Sequence, residues 1–127
     1  MRKIVIDMQN YLFADAVATA FKNSDYDIEV SRAESPRDTV ELCQGDEPFA
    51  LVMEVTGYTP WKLSERLKLR DRVRELCPNC KIALMVDSIT ERQTAKDIRD
   101  AKKDGLIDQF FYGSMSAEYL MDQIYAM

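Results

Sequence analysis

Short, continuous apolar runs recur along the chain, and they constrain its fold more than any other feature of the sequence. Three of them cover residues 4–6, 49–53 and 82–86, and a fourth, interrupted run lies within residues 106–111. Apolar runs of this length without polar alternation are typical of strands that are buried on both faces, as in parallel sheets. The sequence therefore predicts an α/β protein built around a parallel sheet.

Helical stretches separate these runs, so the predicted order is five strands alternating with five helices. A further strand at residues 26–30 alternates apolar and polar residues, which is typical of an edge strand, whereas the more apolar runs fit the interior of the sheet. Because crossover connections are right-handed, the pattern predicts a doubly wound sheet of strand order 2-1-3-4-5 with helices on both faces. The expected strands are residues 2–7, 26–30, 49–53, 82–86 and 106–111.

Polar residues and one glycine predict where the helices begin and end. Asn10 and Ser35 are expected to cap the first two helices. Helix four is expected to open with a capping box at residues 90–93 and to end at Gly105. The remaining helices are expected over residues 61–76 and from about residue 116 to the end.

Length and composition limit the class of protein. The chain has 127 residues, which are expected to form one domain, and its net charge of −5 argues against nucleic-acid binding by that domain. No apolar run approaches the roughly 20 residues that span a bilayer, and the N-terminal residues lack the layout of a signal peptide. We therefore expect a cytoplasmic protein with no membrane partner.

Histidine is absent from the chain, and the cysteines number three. Without histidine the commonest general base is missing, and no glycine-rich phosphate loop is present, so no enzymatic activity is expected. Cys77 and Cys80 form a CxxC, but they follow a predicted helix, and only Cys43 remains as a further thiol ligand. A turn with reduced thiols, leading into the fourth strand, is the favoured interpretation.

Acidic residues follow three of the apolar runs, at Asp7, Glu54 and Asp87. Because the carboxyl ends of parallel strands border the ligand crevice, these side chains are expected to share one acidic pocket. Mg²⁺ prefers one or two carboxylates plus waters, and Asp7 and Glu54 are the candidate ligands for weak binding; otherwise no cofactor is expected. If no ion binds, clustered carboxylates are expected to raise one another's pKa values.

The element order and the positions of these acids resemble the receiver domain of response regulators, the CheY-like variant of the flavodoxin-like fold. The resemblance covers essentially the whole chain and includes the phrase Leu76-Cys77-Pro78-Asn79-Cys80-Lys81-Ile82 before strand four. It implies an acidic pair after strand one, a phosphorylated aspartate after strand three, a threonine or serine after strand four, and Lys-Pro after strand five. The residues at those places are Asp7 with Met8, Glu54, Asp87 with Ser88, and Tyr112 with Gly113.

These replacements oppose the phosphorylation that the family performs. The extra methylene of Glu54 displaces its carboxylate by roughly 1 Å, enough to spoil in-line attack. Asp87 places a negative charge at a switch position, and Tyr112 supplies no fixed cation. The resemblance thus implies a pseudo-receiver, a protein–protein interaction module of bacterial signal transduction, with Glu54 either mimicking a phosphorylated aspartate or belonging to a decayed site.

Two other functions stay open at this point. One is a two-component receiver that still accepts phosphate in the presence of Mg²⁺, with Asp7 binding the metal. The other is a small enzyme on a flavodoxin-like scaffold. The first would be supported by phosphoryl incorporation from acetyl phosphate.

Partner surfaces follow from the same resemblance. It implies a partner or homodimer surface on helix four, strand five and helix five, where Gln109, Phe111 and Tyr119 are the candidate contact residues. In the loop before helix three, Tyr58 and Trp61 are candidate interface anchors, although Trp61 can equally cover the core.

Helix three carries six basic residues interleaved with acids. The net acidity of the chain favours a solvated face with i,i+3 and i,i+4 ion pairs over a nucleic-acid surface. These basic residues are Lys62, Arg66, Lys68, Arg70, Arg72 and Arg74.

Overall fold

The computed structural model describes residues 2–127, with Asp46 described by its backbone alone. Strands and helices alternate strictly along this part of the chain. The strands are β1 (Arg2–Asp7), β2 (Ile28–Arg32), β3 (Ala50–Val55), β4 (Lys81–Val86) and β5 (Gln109–Tyr112). The helices are α1 (Tyr11–Lys22), α2 (Pro36–Asp46), α3 (Leu63–Leu76), α4 (Arg92–Lys103) and α5 (Ala117–Tyr125).

The strands form one parallel sheet of order β2-β1-β3-β4-β5, which confirms the predicted topology. In its centre Val5 pairs with Leu51, and Leu51 pairs with Ile82, so the three most apolar strands lie side by side. β2 lies at one edge and is only half-buried along its length. The strand order brings the carboxyl ends of β1, β3 and β4 next to one another, and we call this region the carboxyl end of the sheet.

Two apolar layers hold the helices on opposite faces of the sheet. Helices α2, α3 and α4 pack against one face, in a core that contains Leu51, Leu84 and Ile98. Helices α1 and α5 pack against the other face, in a core that contains Ile6, Val52 and Ile124. Both faces of the central strands are therefore buried, which explains why their sequences lack polar alternation.

Most predicted helix ends are confirmed. The side chains of Asn10, Ser35 and Ser116 each accept a backbone hydrogen bond at the start of a helix. Gly105 follows α4 with φ of 79°, a left-handed conformation that costs glycine little. The predicted capping box of α4 is wrong, because the helix begins after Glu91 and that residue makes no capping bond with its side chain.

The strand boundaries of β2 to β5 differ from the prediction by one to three residues. β2 begins at Ile28 instead of residue 26, and β5 begins at Gln109 instead of residue 106. β3 extends to Val55, so Glu54 is a strand residue, paired with Met85 of β4, and does not follow the strand. Glu54 therefore has a fixed backbone and not the freedom of a loop residue.

Candidate functional site

Asp7, the last residue of β1, is buried and paired with an arginine from α3. Asp7 as a residue is 2% exposed, and Arg66 is 0% exposed. The guanidinium donates from Nη1 to Asp7 Oδ2 at 2.8 Å and from Nη2 to Asp7 Oδ1 at 3.2 Å. This two-pronged geometry is the strongest form of an arginine–carboxylate pair.

Further hydrogen bonds complete the coordination of this pair. Arg66 Nε donates to the carbonyl oxygen of Glu54 at 2.8 Å, and Nη2 also lies 3.3 Å from the carbonyl oxygen of Asp7. Thr39 of α2 donates its hydroxyl to Asp7 Oδ2 at 2.7 Å. The pair thus connects β1, β3, α2 and α3, and both charges are compensated inside the protein, which a buried ion pair requires.

Arg66 is a site residue that the sequence pattern did not predict. It was expected on a solvated helix face, but its guanidinium lies at the carboxyl end of the sheet, between the ends of β1 and β3. A usable signal was present: Arg66, Leu69 and Val73 are spaced i, i+3 and i+7, and the two apolar residues are buried. The same helix face that packs on the sheet therefore carries the arginine inward.

Glu54 is half-buried and turned toward α1. Its Oε1 accepts a hydrogen bond of 3.0 Å from the backbone N–H of Asn10. Asn10 is the N-cap of α1, and the helix dipole favours a negative charge at this end of the helix. Asp7 and Glu54 thus have separate partners, and among the described residues no group of three or more His, Cys, Asp or Glu is arranged to hold a metal ion.

Asp87 organises the turn between β4 and α4. Its exposed carboxylate accepts hydrogen bonds at Oδ1 from the backbone N–H groups of Ile89 (2.9 Å) and Thr90 (3.2 Å). These two donors, Ile89 first, hold the pKa of Asp87 below its ordinary value. The expectation that clustered carboxylates raise one another's pKa values is therefore wrong for Asp87, because local backbone donors outweigh any neighbouring charge.

The structure brings two of the three predicted acids together. Glu54 and Asp87 both line a cavity of about 120 Å³ at the carboxyl end of the sheet, whereas Asp7 is not part of its lining. The rest of the lining is Asn10, Phe13, Met85, Val86 and Gly113. The cavity is lined by two carboxylates and by no basic side chain.

The other two switch-position residues, Ser88 and Tyr112, do not line this cavity, although each is next in sequence to a residue that does. Ser88 is half-buried in the turn that Asp87 organises. Tyr112, the last residue of β5, accepts a hydrogen bond of 3.1 Å at its hydroxyl from Arg99 of α4. Its ring packs edge-on against Phe110, with 5.7 Å between centroids. The tyrosine thus connects β5 to α4 and supplies no positive charge to the cavity.

Two of the three interface candidates lie at the surface, and the third lies in the core. Tyr119 is 53% exposed and Gln109 is half-buried, so both can contact a partner. Phe111 is 3% exposed and belongs to the core beneath α1 and α5. The choice of Phe111 as an interface residue is therefore wrong, because residues alternate along β5 and this one points inward.

The pH response of Asp87 gives a first testable prediction. Its carboxyl group is expected to titrate with a midpoint below 3.8, the ordinary value, in an NMR titration of side-chain carboxyl shifts. A carboxyl with a lowered pKa stabilises the folded state above its unfolded pKa and loses that contribution as pH falls through the folded value. A midpoint at or above 3.8 would contradict the observed turn.

The cysteines give a second prediction. Cys43, Cys77 and Cys80 are all buried and form no disulfide, and burial raises the pKa of both Cys77 and Cys80. Because the thiolate is the reactive form, alkylation by iodoacetamide is expected to be at least about tenfold slower in the folded protein than in denaturant. Equal rates, measured by mass spectrometry, would show that the CxxC is not packed as described.

Solved structures similar to this one include response-regulator receiver domains. A CheY-like receiver domain protein from Methanospirillum hungatei JF-1 is 12% identical, with a TM-score of 0.75 over 99% of this chain and 92% of that one. Response regulator TrrA from Thermotoga maritima, in complex with Mg²⁺-BeF, is 11% identical, with a TM-score of 0.72 over 99% of this chain and 98% of that one. An uncharacterized protein from Neptuniibacter caesariensis is 12% identical, with a TM-score of 0.78 over 98% of this chain and 85% of that one.

At identities this low, the similarity establishes the fold, which is that of receiver domains. No protein-family model matches the sequence, and no curated protein matches it. In the part of the chain that the structure describes, none of the helices has both the length and the apolar character to cross a membrane.

Proposed function

We propose that this chain is an atypical receiver domain that acts as a protein–protein interaction module in bacterial, cytoplasmic signal transduction and is not switched by aspartyl phosphorylation. The observation that carries the proposal is the ion pair of Arg66 with Asp7. In this pair the guanidinium of Arg66 lies against the carboxylate of Asp7, which is the group that would have to bind a metal ion in a phosphorylated receiver.

Phosphoryl transfer to a carboxylate needs a metal cation beside the attacking carboxylate. A neighbouring acidic side chain must therefore be free to bind that cation. Asp7 is 2% exposed, and both of its carboxylate oxygens already accept hydrogen bonds, from Arg66 and Thr39. Displacing the guanidinium would leave a buried arginine without its counter-charge, which costs several kcal/mol. This cost supports a site that is closed to Mg²⁺ in the folded protein.

The charges around the cavity support the same proposal. Glu54 and Asp87 both border it, and a phosphoryl group placed there would meet two carboxylates and no lining cation. The backbone N–H of Asn10 donates to Glu54 Oε1, and this hydrogen bond holds the carboxylate at the start of α1. This arrangement supports a decayed site over a charge that mimics phosphorylation and signals through β5.

The partner is proposed to be another protein. The face made by α4, β5 and α5 offers Tyr119 and the Arg99–Tyr112 contact, and a homodimer through this face is one form the interaction could take. Light scattering over a range of protein concentrations would show whether the chain dimerises.

Acetyl phosphate tests the proposal against its main alternative, a receiver that accepts phosphate with Mg²⁺. The chain is incubated with acetyl phosphate and Mg²⁺, beside a phosphorylatable receiver domain as positive control, and intact masses are measured at neutral pH. We expect no phosphoryl group on this chain. A mass gain that is lost when Glu54 is replaced by glutamine would overturn the proposal, because it would identify Glu54 as the acceptor.

A further inference from the structure

The four most exposed large apolar side chains of the described residues all lie at the carboxyl end of the sheet. Leu12 is 83% exposed, Ile89 76%, Tyr58 71% and Tyr11 58%. They come from three separate segments: the first turn of α1, the loop between β3 and α3, and the turn between β4 and α4. Such a concentration at one end of a monomer is typical of a binding surface.

The segments that carry these side chains are held by hydrogen bonds. Asp87 fixes the turn that presents Ile89, and Trp61 N–H donates to the carbonyl oxygen of Tyr58 at 2.8 Å. Gly57 N–H donates to Glu91 Oε1 at 3.3 Å and so joins the two loops. A surface that is ordered before binding loses less entropy when a partner arrives.

The acidic cavity lies at the same end of the sheet, and its lining residues Asn10 and Asp87 are one and two positions from Tyr11 and Ile89. Its volume of about 120 Å³ is below the range of roughly 300–1,000 Å³ of small-molecule sites, but it suits the head of one side chain. Its two carboxylates, Glu54 and Asp87, each accept backbone hydrogen bonds at one oxygen, Oε1 and Oδ1 respectively. The charge that complements this lining is a cation that donates hydrogen bonds, which is the chemistry of arginine or lysine.

We propose that the carboxyl end of the sheet is a docking surface for a protein segment that carries one arginine or lysine flanked by apolar residues. The cation enters the cavity between Glu54 and Asp87, and the apolar neighbours contact Tyr11, Tyr58 and Ile89. This inference deepens the proposed function, on which it rests, by naming a face and the charge of the partner. Anions are excluded from this surface by the same two carboxylates.

Peptide binding measured by NMR tests the docking surface. The probe is a helical peptide of about twelve residues with one central arginine among leucines and alanines. The matched probe replaces that arginine by citrulline, which keeps the shape and removes the charge. We expect the arginine peptide to shift the amides of Asn10, Ile89 and Gly113 and to bind at least about tenfold more tightly than the citrulline peptide.

Variants of the protein test whether Glu54 and Asp87 are the residues that bind the arginine of the peptide. Glu54→Gln and Asp87→Asn are each expected to weaken binding of the arginine peptide without weakening that of the citrulline peptide. Asp100→Asn, which removes one exposed acid from α4, serves as the control and should leave both affinities unchanged.

Three outcomes would overturn the docking surface: equal binding of both peptides, shifts confined to α4 and β5, or no shifts at millimolar peptide. Concentration-dependent shifts of the same amides in the protein alone would identify a second copy as the occupant and would also overturn it. Each of these leaves the proposed function standing, whereas a response to Mg²⁺ and acetyl phosphate would overturn that function itself.

Discussion

Replacing Arg66 by methionine is expected to lower the free energy of unfolding by about 3–5 kcal/mol, measured by urea denaturation followed by circular dichroism. Methionine fills much of the same space, but it leaves the carboxylate of Asp7 buried at 2% exposure without its counter-charge. It also leaves the carbonyl oxygen of Glu54 without its donor. The expected loss is a large fraction of the stability of a domain of this size.

Two further variants separate the ion pair from a general effect of helix α3. Arg72→Met removes an exposed arginine from the same helix and is expected to change stability by no more than about 0.5 kcal/mol. Adding Asp7→Asn to Arg66→Met removes the uncompensated charge, so the double variant should be more stable than Arg66→Met alone. A loss below about 1 kcal/mol for Arg66→Met would show that the pair is not buried as described.

Replacing Phe111 by alanine is expected to cost about 3–5 kcal/mol of unfolding free energy, because the change leaves a cavity in the core beneath α1 and α5. The prediction distinguishes a core residue from an interface residue. An interface residue that is exposed in the free protein would leave its stability nearly unchanged when truncated.

Tyr119→Ala is the matched control for this change. Tyr119 lies on the neighbouring helix α5 and is 53% exposed, so its truncation is expected to change stability by no more than about 0.5 kcal/mol. If the two variants unfolded at the same urea concentration, the inward position of Phe111 would be wrong.

The fold could be predicted because burial in the core requires local sequence patterns that are visible in the chain. Continuous apolar runs mark strands covered on both faces, and the polar second strand marks an edge. The boundaries could not be predicted as well, since they depend on tertiary contacts. Tyr26 fits the alternating pattern of β2, but strand pairing begins at Ile28. Tyr26 instead packs on α5, where its ring stacks on Tyr125 at 4.0 Å between centroids and its hydroxyl donates to Asp122.

The site was predicted less well, because it depends on pairs that are distant in sequence. Asp7 and Arg66 are separated by 59 positions, and their contact follows from the rotation of α3 against the sheet. Charge patterning alone placed that arginine in solvent with the other basic residues of the helix. Its spacing from buried Leu69 and Val73 is the signal that would have placed it inward.

Asp87 illustrates a competition between local and tertiary interactions. Its position after β4 correctly predicted a place at the carboxyl end of the sheet, beside Glu54. Its pKa is nevertheless set by the backbone N–H groups two and three residues later, which lower it. Turn chemistry of this kind is common for aspartate, and it outweighs the repulsion that strand-end clustering suggested.

We propose that the guanidinium of Arg66 occupies the place beside Asp7 where a metal ion would bind in a phosphorylated receiver. An NMR titration of the amide spectrum with Mg²⁺, and then with Mg²⁺ plus beryllofluoride, tests this directly. We expect no saturable shifts at Asp7 or Glu54 and no change in α4 or β5 at either step. Saturable shifts at these residues that spread to α4 and β5 on addition of beryllofluoride would contradict the proposal, because they would show a site that binds metal and responds as a phosphorylation switch.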